Sequence, residues 1–210
     1  AQIVSGGEDG MIKIWDSATG ALVNSLNGHA RGAWDVVFDP TGRRVASVGA
    51  DMMLKIWEAY TGTLILTIDG HGDGFSSVAF SPDGASLVSG GKDSTATVWD
   101  ANTGAPLQRF VGHTGGLGPV AFSRDGKWVI SAGGDLTIRV WDAEHGTEVR
   151  TLRGHDYTLT SLSFSPDGRF ILSASEDATV KLWDFKPEVR DVSVDGIDGA
   201  HSPAAFSPDG

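Results

Sequence analysis

GHDYTLTSLSFSPDGRFILSASEDATVKLWD, residues 154–184, contains three short runs in which apolar and polar side chains mix at strand spacing, separated by turn residues. Gly154-His155 opens a turn, and Thr160-Ser161-Leu162-Ser163-Phe164 then alternates with the period of a half-buried strand. Ser165-Pro166-Asp167-Gly168 follows; proline presets the first corner of a reverse turn and glycine accepts positive φ. Phe170-Ile171-Leu172-Ser173-Ala174 reads as a second strand and Glu176-Asp177-Ala178 as a second turn. Thr179 to Asp184 alternates again and gives a third strand. Elsewhere a Thr-Gly turn follows (Thr19-Gly20, Thr61-Gly62, Thr103-Gly104), then a fourth strand such as Glu148-Val149-Arg150-Thr151-Leu152. Four short antiparallel strands joined by tight turns make one small twisted sheet.

The same unit recurs along the chain. Trp15, Trp57, Trp99, Trp141 and Trp183 stand 42 residues apart, and this period divides the 210 residues into five. Phe38, Phe80, Phe122, Phe164 and Phe206 keep the phase, as do the Ser5 and Asp9 columns described below. A fixed period of this size marks a repeat architecture whose units bury a core only by stacking on their neighbours. Sheets of this kind repeated about an axis make a propeller. The expected fold is therefore all-β, a propeller of four-stranded antiparallel blades in one domain. Its units run 27–68, 69–110, 111–152 and 153–196, with a fifth assembled from 1–26 and 197–210.

Gly-His, then Phe-Ser-Pro-Asp-Gly, then Ser-x-x-x-Asp, then Trp-Asp, at this spacing, resembles the WD-repeat family of β-propellers over essentially the whole chain. The resemblance implies that His, Ser, Asp and Trp of each unit join in a hydrogen-bonded chain, from indole to Ser, Ser to His and His to Asp. Four full sets are present: His29, Ser47, Asp51 and Trp57; His71, Ser89, Asp93 and Trp99; His113, Ser131, Asp135 and Trp141; His155, Ser173, Asp177 and Trp183. Ser-His-Asp also suggests a catalytic triad. Catalysis needs one such site at a cleft, whereas a structural device is expected once per unit, so the sets read as structural. A buried indole N–H needs an acceptor, and the serine supplies one. No H-x-E, H-x-x-E or H-E-x-x-H motif gathers metal ligands, and no cofactor is implied. His145 falls outside the His column, in a turn, and is expected in solvent.

The fifth unit departs from the rest. Ile197 stands where a histidine is due, leaving Ser5, Asp9 and Trp15 without one in register. His201, four residues on, and a water molecule are the two candidates to replace it. Asp191, Ser193 and Asp195 dilute the fourth-strand pattern, and Pro203 suits the edge position of an innermost strand. Reading Gly210 into Ala1 restores an uninterrupted repeat, so one blade is expected to combine residues 201–206 with residues 2–26. That closure removes open sheet edges. A closed five-bladed monomer is favoured over an open segment of a larger ring and over two chains sharing a ten-bladed ring.

Composition narrows the function. The net charge is −11, from 27 acidic and 16 basic residues, with Arg43-Arg44 the longest basic run. That argues against nucleic acid, which needs a concentrated basic surface, and favours a neutral or basic protein partner. No apolar run reaches membrane-spanning length, the start lacks signal-peptide character, and no cysteine is present. A cytoplasmic setting is the default expectation. In the family, partners commonly dock on the face that bears the Gly-His turn and the turn with the repeated Asp. By position the candidates there are Arg31, Trp34, Asp73, Lys92, Asp156, Tyr157 and Glu176; Trp34, Tyr157 and Arg31 are the anchor types. The expected function is a non-catalytic scaffold for proteins or peptides. The alternatives are a lectin-like small-ligand propeller, or an excised or engineered segment whose role ends at folding and assembly.

Overall fold

A computed structural model describes residues 1–185 and, as backbone, 192–195. The chain forms consecutive antiparallel sheets. The first has three strands: β1 (Gln2–Gly6), β2 (Met11–Asp16) and β3 (Leu22–Asn27). The second joins β4 (Ala33–Phe38), β5 (Arg44–Gly49), β6 (Leu54–Glu58) and β7 (Leu64–Ile68). The third joins β8 (Phe75–Phe80), β9 (Ser86–Gly91), β10 (Thr95–Asp100) and β11 (Pro106–Val111). The fourth holds β12 (Leu117–Phe122), β13 (Trp128–Gly133), β14 (Thr137–Asp142) and β15 (Glu148–Arg153). The fifth holds β16 (Leu159–Phe164), β17 (Phe170–Ser175), β18 (Thr179–Asp184) and β19 (Val192–Asp195). β19 pairs with β18 from Leu182↔Val192 to Thr179↔Asp195 despite its diluted pattern, because the ladder is made by backbone groups.

Each core cluster bridges two sheets. Ala46, Val48, Leu54 and Ile56 of the second sheet pack on Phe75, Val78, Leu87 and Trp99 of the third. Val45 and Trp57 point the other way, to Ile12, Ile14 and Leu26 of the first. Val88, Val98 and Phe110 meet Val120, Val129 and Trp141; Ile130, Val140 and Leu152 meet Leu162, Ile171 and Trp183. Alternate side chains of a middle strand thus serve opposite neighbours, so β5, β9 and β13 read as apolar on both faces. Inner strands stand side by side in the order β1, β4, β8, β12, β16. Asp35 of β4 ties one pair, accepting from Ser77 Oγ and the Val78 N–H of β8, each at 2.9 Å.

The first sheet differs. Ile3 is 55% exposed, while Val45, Leu87, Val129 and Ile171 at the same repeat position are 0% exposed. Residues 201–206, expected to supply its inner strand, lie outside the described residues, as do His201, Ile197 and Pro203.

The expected turn between second and third strands puts non-glycine residues in left-handed backbone. Met52, Ser94, Leu136 and Ala178 adopt φ of 63°, 66°, 62° and 62°, where the first sheet has Gly10 at 78°. Left-handed backbone costs a non-glycine residue roughly 1–2 kcal/mol. The preceding aspartate offsets this by accepting from the N–H two residues on, as Asp9 does from Met11 at 3.0 Å and Asp177 from Thr179 at 2.9 Å.

Candidate functional site

In four sheets the His, Ser, Asp and Trp side chains meet. Trp57 Nε1 donates to Ser47 Oγ at 3.0 Å, Ser47 lies 2.9 Å from His29 Nε2, and His29 Nδ1 lies 2.6 Å from Asp51. The corresponding distances are 2.7, 2.9 and 2.9 Å for Trp99, Ser89, His71 and Asp93. They are 2.8, 2.9 and 2.9 Å for Trp141, Ser131, His113 and Asp135. For Trp183, Ser173, His155 and Asp177 they are 2.8, 2.7 and 2.7 Å. One tautomer satisfies every atom: Nδ1–H donates to Asp, Nε2 accepts the Ser O–H, and Ser Oγ accepts the indole N–H. The chain runs across the sheet because Ser sits on the second strand, Trp on the third, and His in the loop entering the first. Gly70 before His71 leaves room for the indole; a Cβ there would lie 2.1 Å from Trp99 Cη2.

The serines at the centre of these sets are buried. Ser47, Ser89, Ser131 and Ser173 are 0% exposed and their hydroxyls are fully committed, so no substrate carbonyl reaches them. Burial holds His29, His71 and His113 below the ordinary histidine range, with their aspartates opposing it only in part. These three rings are therefore neutral at neutral pH, and their contacts with Asp51, Asp93 and Asp135 are hydrogen bonds to a carboxylate rather than ion pairs. Burial of Asp135 opposes its ionisation, but hydrogen bonds from His113, Thr137 and the Thr114 N–H outweigh it and bring its carboxyl to about 2. Sequence reasoning missed the threonine: Thr95, Thr137 and Thr179 donate to the aspartates at 2.8, 2.8 and 2.6 Å. A Thr two residues after the Asp in three units was the available signal. Lys55 adds a cation 2.9 Å from Asp51, and Arg109 one 3.0 Å from Asp93.

The first sheet brings Trp15 Nε1 to 3.0 Å from Ser5 Oγ, while among the described residues Asp9 holds its own turn by accepting from the Met11 N–H. His145 lies in its turn as expected, 67% exposed at the side chain and 3.0 Å from Asp142. Among the described residues, no three His, Asp or Glu side chains converge as metal ligands would.

Alternation of strand direction puts the Gly-His loops and the Asp-bearing turns on one face, with the Ser-Pro-Asp-Gly and Thr-Gly turns on the other. On the Gly-His face Arg31, Asp73, Lys92, Asp156 and Glu176 are exposed, and Trp34 and Tyr157 are 49% and 63% exposed. Trp34 is not a free aromatic: Lys92 Nζ of the next sheet sits 3.8 Å from its ring centroid. This joins two candidates read separately from the sequence and leaves Tyr157 the bare aromatic, flanked by Asp156.

The profile of the family described as WD domain, G-beta repeat matches residues 1–16, 20–58, 62–100, 104–142 and 146–184. After the first, its segments start at Gly20, Gly62, Gly104 and Gly146 in the turn after the third strand, and each segment ends on the residue after the repeated tryptophan, out of phase with the sheets by about one strand. Comparison with curated proteins returns no match. Repeated Trp-Ser-His-Asp chains, consecutive four-stranded sheets and a match to most of the sequence lead to one conclusion: the chain belongs to the WD-repeat family.

Proposed function

We propose that this protein is a non-catalytic WD-repeat scaffold that binds a protein or peptide on the face bearing its Gly-His loops. The observation that carries the reading is the pair of exposed aromatics there, Trp34 at the start of β4 (49%) and Tyr157 on a Gly-His loop (63%), both beside buried hydrogen-bond chains. Aromatic side chains on a rigid frame supply contact area at small entropic cost, and such residues dominate interface energetics. The net charge of −11 and the exposed Asp73, Asp156 and Glu176 suit a neutral or basic partner. Trp34→Ala and Tyr157→Ala are each expected to lower partner recovery in a pull-down by about tenfold, with the melting temperature of the parent retained. Equal recovery by the parent and both variants excludes this face.

The scaffold is read as a closed five-bladed monomer in which residues 201–206 complete the first sheet. This reading sets the fifth sheet against Ile3, which is 55% exposed, as Val45, Leu87, Val129 and Ile171 are each buried against the sheet before them. Light scattering should return the 22.0 kDa monomer mass. A stable dimer would replace the closed monomer with a ring shared by two chains.

A further inference from the structure

The first residue of each second strand faces the slot toward the next sheet, on the side opposite the Gly-His loops. That column reads Gln2, Arg44, Ser86, Trp128, Phe170, so the contents of the slot change from unit to unit. Arg44 shows what the slot accommodates. Its Nε donates to Asp39 Oδ2 at 3.1 Å, and one terminal nitrogen donates to the Gly84 carbonyl at 2.6 Å. The other terminal nitrogen reaches Asn102 Oδ1 at 3.3 Å and the Ala101 carbonyl at 3.5 Å. The guanidinium carbon stands 5.4 Å from the Phe80 ring centroid. A planar cation is thus ringed by acceptors and lies over an aromatic ring within cation–π reach.

One repeat further on, the same cradle is open. Ser81, Phe122, Gly126, Ala143 and Glu144, the equivalents of Asp39, Phe80, Gly84, Ala101 and Asn102, line a cleft of about 660 Å³ with Ser86. Ser86 stops at its hydroxyl, so no side chain of its own fills the place that Arg44 takes. Ser81 removes the carboxylate that Asp39 gives Arg44, and two other differences restore negative charge. Glu144 puts an exposed carboxylate where Asn102 offers an amide, and Asp83 stands where the Arg44 slot has Thr41. The cation on the rim, Arg124, donates to the Pro166 carbonyl of the next sheet at 3.4 Å. Leu107, 56% exposed, gives the cleft an apolar shoulder. The other slots are poorer. Trp128 packs on Phe185 at 5.5 Å, beside a cleft of only about 250 Å³. The Gln2 slot, about 620 Å³, has Tyr60 in place of the acid, and its Asp39 is already engaged by Arg44.

We infer that the Ser86 cleft binds an arginine side chain presented by a peptide of a protein partner, on the face opposite the Gly-His loops. The inference holds whether or not the Gly-His face binds anything. Lysine is a poorer occupant, since an ammonium neither stacks flat on Phe122 nor reaches the separated carbonyls together.

The test is a titration of the intact chain with N-acetyl-arginine N-methylamide, read from the amide resonances of Ser86, Gly126 and Glu144. The lysine analogue (same charge) and the citrulline analogue (same shape, no charge) are run in parallel. The arginine probe should bind at least about fivefold more tightly than either. Glu144→Gln should weaken it about tenfold, and Ser86→Arg should abolish it by tethering a guanidinium in the cleft. Should Ser86→Arg fail to fold, Arg44→Ala answers instead. It opens the neighbouring slot, and the arginine probe, but not the lysine one, should restore part of the lost melting temperature. Equal binding of arginine and lysine, full binding by Ser86→Arg, or no saturable shift up to about 50 mM probe overturns the proposal.

Discussion

Trp141→Ala is expected to destabilise the protein by about 3–5 kcal/mol, and Trp15→Ala by less than half of that. The two tryptophans hold the same repeat position. Trp141 is 2% exposed, lies tilted with its ring centroid 5.4 Å from that of Phe110, and donates to Ser131, whose hydroxyl is itself tied to His113 and through it to Asp135. Truncation removes packing between two sheets and strands a buried hydroxyl in one step. Trp15 is only partly buried, and its serine is exposed to water that can replace the lost indole. Trp141→Phe separates the two contributions: it keeps much of the packing and should cost about 1–3 kcal/mol for the unsatisfied serine. Urea unfolding of the three variants beside the parent measures these differences. Equal losses for Trp15→Ala and Trp141→Ala would mean that the four-membered chains add nothing to an isolated indole–serine bond.

Acid should unfold the protein in two stages, both set by the buried chains. Burial lowers the folded pKa of His29, His71 and His113, so protonation favours the unfolded state. Their contribution is complete above the unfolded value of 6.5 and is lost as pH falls from there through the folded values. The second stage belongs to the aspartates. Asp51, Asp93, Asp135 and Asp177 lie below the ordinary 3.8, so their stabilisation is present above that value and disappears as they are protonated beneath it. Asp35 has the opposite sign: burial raises its pKa, so its contribution is complete in acid and declines as pH rises, softening the second stage. Melting temperatures should therefore fall between about pH 7.5 and 5 and fall again, more steeply, below about pH 4. A melting temperature constant from about pH 7.5 to 5 would show that the rings do not gain charge on unfolding. The first-stage fall should shrink in His71→Gln, which keeps polar contacts but cannot titrate.

Much of the candidate machinery was legible from residue spacing because it repeats. A column that holds Ser at 5, 47, 89, 131 and 173 announces a common role, and the family resemblance supplied its bonding order. The Gly-His face was legible too, because strand direction alternates and the loops sort by parity. What escaped were contacts made by residues that do not repeat. Lys92 over Trp34, Asp35 on Val78 and Arg44 in its slot each join two sheets through side chains whose column holds something else in other units. Met52, Ser94, Leu136 and Ala178 escaped for another reason: only glycine announces left-handed backbone, and none of them is glycine.

The amino-acid sequence alone determined the four-strand unit, its turns and the Trp-Ser-His-Asp columns. Each depends on local backbone preference and on a period that any single unit displays. Tertiary structure alone decided which positions of a column differ in fact. Ile3 and Val45 are interchangeable as apolar strand residues, yet one is half exposed and the other buried. It also decided that Arg44 fills one slot between sheets while Ser86 leaves the next open. The physical reason is that these outcomes depend on the gap between two packed sheets. Twist, offset and the opposing side chains fix that gap, and none of them is written in the strand that borders it.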